Sequence, residues 1–220
     1  MELLKQIIQL ILHIDKLGDF INQYQGTTYI IFFIIIFAET GFVVTPFLPG
    51  DSLLFTAGLL IGNGNTGLNI FELGGILIAA AFLGNTVNYY AGTYFGPKIF
   101  KEKNKILKLD YYLETKAFFD KHGGKAVILS RFMPIIRTIA PFVAGVGKMP
   151  VARYSLYNII GGAAWITLFL AGGFYLRKVD FVKTHVSFLG FAIILLSVIP
   201  AIWAAVKARR AKKQANVKAN

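Results

Sequence analysis

Residues 28–61 are apolar almost throughout, yet Thr45-Pro46-Phe47-Leu48-Pro49-Gly50 interrupts them near the middle. A straight transmembrane helix needs only about 20 residues. Two prolines and a glycine cannot continue a helix without freeing backbone N–H and C=O groups. At membrane depth such groups are tolerated only where protein buries them or where they line a wet cavity. A re-entrant helix–loop–helix hairpin, turning at Pro46, Pro49 and Gly50, meets both conditions.

Lipid is the expected solvent for the whole chain. Of its 220 residues 55% are hydrophobic and only 15% charged, and the mean hydropathy is +0.60. A soluble domain carries roughly 25% charged residues. The net charge of +12 would suggest nucleic acid in a soluble protein. Here the cations sit between and after the apolar segments, as cytoplasmic anchors do, so no nucleic-acid partner is expected. The absence of cysteine removes disulfides, thiol catalysis and cysteine-bound metal. The N-terminus lacks a cleavable-signal pattern, because acids and Lys16 interrupt its apolar residues and no small-x-small site follows.

Residues 1–22 place Leu3, Leu4, Ile7, Ile8, Ile11, Ile14, Leu17 and Ile21 on one helical face. Lys5, His13, Asp15, Lys16 and Asp19 argue against a span, leaving an interfacial amphipathic helix or one packed on the bundle. Segment 62–69 is a short uncharged loop, and 70–95 is a full span rich in small residues. Residues 97–125 read as a polar loop with eight lysines against four acids, and the tail 207–220 is basic. Both should be cytoplasmic by charge bias. Three apolar segments lie between them: 126–147, 156–176 and 186–206. An odd number of crossings would put the tail on the wrong side, so one segment must not cross. Segment 126–147, interrupted by Arg131, Pro134, Arg137, Pro141 and Gly145, is the candidate for a second hairpin, entering from the cytoplasm. Pro46-Phe47-Leu48-Pro49-Gly50 and Pro141-Phe142-Val143-Ala144-Gly145 share a Pro-Phe-x-x-Gly echo, a weak pointer to an inverted repeat with a transport site between its halves. The expected fold is therefore all-α: an N-terminal segment 1–24, a polytopic membrane domain 25–206 with two opposed re-entrant hairpins, and a tail.

Four charges lie in apolar surroundings: Glu39, Asp51, Arg131 and Arg137. Each costs about 2.5–3.5 kcal/mol at the bilayer centre, so it must pair, line water or serve a function. A break at Pro134 lets both guanidiniums converge, and two planar forks there suit a phosphate. Alternatively each arginine neutralises one acid. Apolar surroundings favour the protonated form of Glu39, which makes it a candidate proton carrier, and a nearby arginine would oppose that. Asp51 is also placed as a helix N-cap. Asn85 and Asn88, inside a span, should make interhelical hydrogen bonds. Trp165 and Tyr175 read as packing and interface residues, and His122-Gly123-Gly124 as a turn. His13, His122 and His185 show no metal pattern, and no nucleophile elbow, P-loop or dinucleotide fingerprint occurs. No enzyme, metal or cofactor is expected.

These residues resemble the DedA family, whose domain is also described as SNARE-associated or VTT-type. Phe37-Ala38-Glu39-Thr40-Gly41 and Pro46 to Leu54 look like its first signature. Arg131-Phe132-Met133-Pro134-Ile135-Ile136-Arg137, Pro141 to Gly145 and Met149 look like its second, and Asn158, Gly161 and Trp165 continue it. The resemblance spans roughly residues 25–205. It implies two re-entrant hairpins, a bacterial inner-membrane location and a role in membrane lipid homeostasis, dependent in some members on the proton motive force. The lipids it implies as partners include undecaprenyl phosphate and phosphatidylethanolamine. It also implies functional roles for Glu39, Asp51, Arg131 and Arg137. Many relatives carry Asp and Arg where this chain has Asn85 and Thr93. The reading is an inner-membrane transporter of an anionic lipid, with Arg131 and Arg137 binding the phosphate and Glu39 and Asp51 handling protons or charge. The alternatives are a proton-coupled exporter of small molecules and a non-transporting scaffold. Homo-oligomerisation is compatible with all three.

Overall fold

The computed structural model describes residues 17–42, 50–64, 66–99 and 109–179. Secondary structure among them is entirely helical. Pro46, Pro49, His13, His185, the segment 186–206 and the tail lie outside the described residues.

Only two described helices are long and apolar enough to cross a bilayer. The first is α4 (Ile70–Ile99). It is capped where Asn69 Oδ1 accepts the backbone N–H groups of Phe71 and Glu72 at 2.9 and 3.4 Å, the Asn cap that satisfies orphan donors at a helix start. The second is α8 (Val151–Leu176), which begins five residues before the expected span 156–176. Its start follows Pro150, whose extended backbone leads into the first turn.

The remaining apolar helices are shorter. Before the proline-containing segment 43–49 in the sequence come α1 (Leu17–Gln23) and α2 (Gln25–Gly41). After it comes α3 (Gly50–Gly62), opened by Gly50 and Asp51. Its 13 residues span roughly 20 Å at 1.5 Å each, short of a hydrocarbon core of roughly 30 Å. The Lys-rich segment, read as a loop, contains a helix, α5 (Leu109–His122). A 3₁₀ turn over Gly123–Lys125 follows, with Gly123 at φ +58°, a conformation glycine adopts without strain. Segment 126–147 is then two pieces, α6 (Ala126–Ser130) and α7 (Pro134–Val146). The chain breaks at Arg131–Met133. Met133 is extended, as the residue before a proline must be, and Pro134 takes the first helical position, where its missing N–H costs nothing.

The proline echo does not mark equivalent positions. Gly50 opens α3, whereas Pro141 and Gly145 lie inside α7. A different correspondence exists in the packing. Helix α3 lies on α8, and α7 lies on α4. A Cβ on Gly58 would collide with the backbone of Leu170, and one on Gly173 with that of Phe55. In the other pair a Cβ on Gly145 would meet the backbone of Tyr89, and one on Gly92 that of Phe142. Each short helix is thus seated on a long one through reciprocal glycines, the small-residue contact that lets helices approach closely in lipid.

Ile21, Phe32, Ile36, Leu54, Leu73, Leu77 and Trp165 form the main core, with a smaller one around Tyr89, Val127, Ala144 and Tyr154. Ile21 is fully buried, so the part of the N-terminal segment that is described packs on the bundle. Ile30, Ile34, Ile159, Ile160 and Leu168 face outward. Exposed Phe71 and Tyr94 mark the two ends of α4, and Tyr175 the end of α8, where aromatic side chains sit at a membrane–water interface.

Candidate functional site

All four charges singled out in the sequence meet where α2, α3, α7 and the α6–α7 break face the middle of α4 and α8. Glu39 comes from the last turns of α2, Asp51 from the first turn of α3, and Arg137 from the first turns of α7. Arg131 stands at the break itself. Glu39 is 1%, Arg131 3% and Asp51 7% exposed, so each ion depends on partners.

Arg137 has two carboxylates. Its Nη1 donates to Asp51 Oδ1 at 2.7 Å, and its Nη2 is ion-paired with Glu39. One guanidinium therefore ties α2 and α3 to α7, the helix that follows the break at Arg131–Met133. The planar fork makes this geometry available to arginine and not to lysine. Gly50 leaves room beside it, because a Cβ there would displace the Glu39 carboxylate from its place against Arg137.

Arg131 has no carboxylate among its described hydrogen-bond partners. Its Nη2 donates to Asn158 Oδ1 at 2.6 Å and to the Ala81 carbonyl at 3.4 Å. The Asn85 amide, oriented to satisfy both of its polar atoms, accepts from Arg131 Nη2 at 2.6 Å and donates to the Thr40 carbonyl at 3.1 Å. Asn158 Nδ2 is anchored on the Phe82 carbonyl at 3.1 Å, and Tyr154 donates its hydroxyl to the Asn85 carbonyl at 2.8 Å. Asn88 reaches the Thr138 carbonyl at 2.8 Å. The expected interhelical bonds of Asn85 and Asn88 are thus present. Each arginine was open to neutralising one acid, and that pairing does not occur among the described residues: Arg137 takes both acids and Arg131 is held by amides.

Trp165 connects the two halves. Its indole N–H donates to Asp51 Oδ1 at 2.8 Å. Its ring lies 5.3 Å from the Arg137 guanidinium carbon and 5.9 Å from that of Arg131, within cation–π range. Both guanidiniums therefore converge on one indole, as the break at Pro134 allows. The reading of Trp165 as a packing residue misses this. The sequence signal was its spacing from Asn158 and Gly161, which puts all three on one face of α8.

The space between these groups is closed. A cavity of about 10 Å³ remains among Glu39, Thr40, Asn85, Arg131, Arg137 and Trp165, about the space of one water. Thr93 lies away from the cluster, packed beside Gly145. Among the described residues no group of His, Asp and Glu could hold a metal.

A model of the VTT domain matches residues 48–175. Protein DedA of Escherichia coli (strain K12) is 42% identical over 217 residues, 98% of this chain and 99% of the relative. An uncharacterized membrane protein of Mycobacterium tuberculosis (strain H37Rv) is 38% identical over 83% of this chain and 80% of its own length. Inner membrane protein YghB of Escherichia coli (strain K12) is 34% identical over 73% of each. No solved structure matches the chain.

Proposed function

The chain belongs to the VTT-domain (DedA) family of membrane proteins, and from that premise we propose that it translocates a lipid with an anionic phosphate headgroup across the bilayer. The observation that carries this reading is the convergence of buried Arg131 and nearly buried Arg137 on Trp165, midway along α8. Two guanidiniums within reach of one point are a bidentate phosphate receptor, and an inorganic or organic cation would be repelled there. The two arginines divide the work. Arg131, held by neutral amides, keeps its charge for the phosphate. Arg137 is a latch between the helices on either side, and the lipid phosphate competes with Glu39 and Asp51 for it. Protonation of Glu39 removes one of those competitors and loosens the latch, which is the route to proton coupling.

Two opposed re-entrant hairpins, 28–61 and 126–147, related as an inverted repeat, complete the reading. Support comes from the short length of α3 and α7, the break at Arg131–Met133, and the reciprocal glycine seats of α3 on α8 and α7 on α4. In such a frame rocking one half against the other exposes the central site alternately. The mutual neutralisation of Arg137 with both acids favours a second reading, a scaffold in which the charges are purely structural.

The test is reconstitution in liposomes with a fluorescent undecaprenyl phosphate or phospholipid analogue, with and without a pH gradient. Wild-type protein should move the probe at least tenfold faster than protein-free vesicles. Arg137→Ala, checked for folding, should abolish that movement, and Glu39→Gln should remove its dependence on the gradient. Wild-type rates in both folded variants would favour the scaffold. No movement of either lipid class would sink the transport reading for those substrates.

A further inference from the structure

A second cavity, of about 270 Å³, opens between α5, the end of α7 and the start of α8. It is separate from the charged cluster and shares no residue with it. Its rim carries Lys116, Asp120 and Arg153, and its floor is Phe119, Val143 and Met149. Lys116 and Asp120 are joined at 2.9 Å one turn apart on α5, whereas no described carboxylate lies within ion-pair distance of Arg153 on the facing helix. The volume falls just short of the roughly 300–1,000 Å³ of a site for a drug-sized ligand. It fits a headgroup and not a whole lipid.

Depth identifies the occupant. Gly147, on the cavity wall, follows Arg137 by ten residues, roughly 15 Å along a helix. Arg153 precedes Trp165 by twelve, roughly 18 Å. Half of a hydrocarbon core of roughly 30 Å is about 15 Å, so a cavity this far from a mid-span cluster lies at headgroup level. Its charge is that of an anion receptor: two cations and one acid on the rim, and Lys121, Lys125 and Lys148 nearby in sequence. The apolar floor suits the glycerol and first methylenes of a lipid. We propose that this cavity is an interfacial binding site for the phosphodiester headgroup of an anionic phospholipid, with Arg153 and Lys116 on the phosphate. The proposal rests on the chain being a membrane protein and goes beyond the transport reading. Binding is measured without transport, so either can fail alone.

The full chain in detergent micelles is offered phosphatidylglycerol or phosphatidylcholine, and bound lipid is counted by native mass spectrometry. Wild-type protein should retain one phosphatidylglycerol at least fivefold more than phosphatidylcholine. Lys116→Gln with Arg153→Gln should erase that preference. Gly147→Leu, first checked for folding, should do the same by filling the cavity without removing charge: Gly147 is exposed, with φ −74°, and a Cβ there would lie 3.3 Å from the Val143 carbonyl oxygen. Lys178→Gln, an exposed cation outside both the cavity and the charged cluster, should leave retention unchanged. Equal retention of the two lipids, or undiminished preference in the double variant and in Gly147→Leu, would overturn the proposal. So would displacement of bound lipid by millimolar inorganic phosphate, which would reassign the cavity to a soluble anion.

Discussion

Trp165 shows at the level of one residue how packing and chemistry share a side chain. It is fully buried, gives Asp51 its indole N–H and offers its ring to two cations. Trp165→Phe keeps most of the apolar area and deletes the N–H. A hydrogen bond to a charged group is worth about 1.5–3 kcal/mol, so the thermal midpoint in detergent should fall by that equivalent. Lipid movement should fall further than the lost stability explains, because Asp51 then loses one of the donors that orient it toward Arg137. A variant that loses stability but transports normally would make Trp165 a packing residue after all. The four charges could be picked out from their burial cost alone. Their pairing could not, because side chains brought together from Glu39 and Arg137 are far apart in sequence and either arginine could have reached either acid.

Among the elements, the seats of the short helices on the long ones rest on glycine. The contact of Gly145 with the Tyr89 backbone and of Gly58 with the Leu170 backbone leaves no room for a methyl group. Gly145→Ala and Gly58→Ala should each cost at least the about 1–3 kcal/mol typical of overpacking. Gly75 lies inside α4 on an exposed face with open space around it. Gly75→Ala should instead raise stability by roughly 0.5–1 kcal/mol, the ordinary gain of alanine over glycine in a helix. Thermal unfolding of the three variants in one detergent distinguishes a specific helix seat from a general dislike of substitution. The break after α6 was legible in the sequence from Pro134 and its neighbours. The helix α5 was not, because a Lys-rich amphipathic segment and a loop have similar composition, and only contact with the bundle decides between them.

For the whole molecule, orientation gives the decisive check. The chain has no cysteine, so single cysteines can be labelled without background. Asn63→Cys and Lys121→Cys replace exposed residues before and after the span α4. In intact inner-membrane vesicles or cells they should react with an impermeant maleimide from opposite sides, Lys121→Cys only from the cytoplasmic side. Labelling of both from one side would mean that α4 does not cross. The apolar runs, the proline breaks and the buried charges were fixed by local covalent rules: a proline has no N–H to donate and an ion costs several kcal/mol in lipid wherever the chain goes. Those rules determined an all-helical membrane protein with interrupted segments and four residues worth watching. Tertiary structure alone decided that one arginine would take both acids while the other was held by amides, that Trp165 would stand between them, and that glycines would seat α3 on α8 and α7 on α4. Each of these depends on which helix faces which, and that is set by close packing over long sequence separation, which periodicity cannot encode.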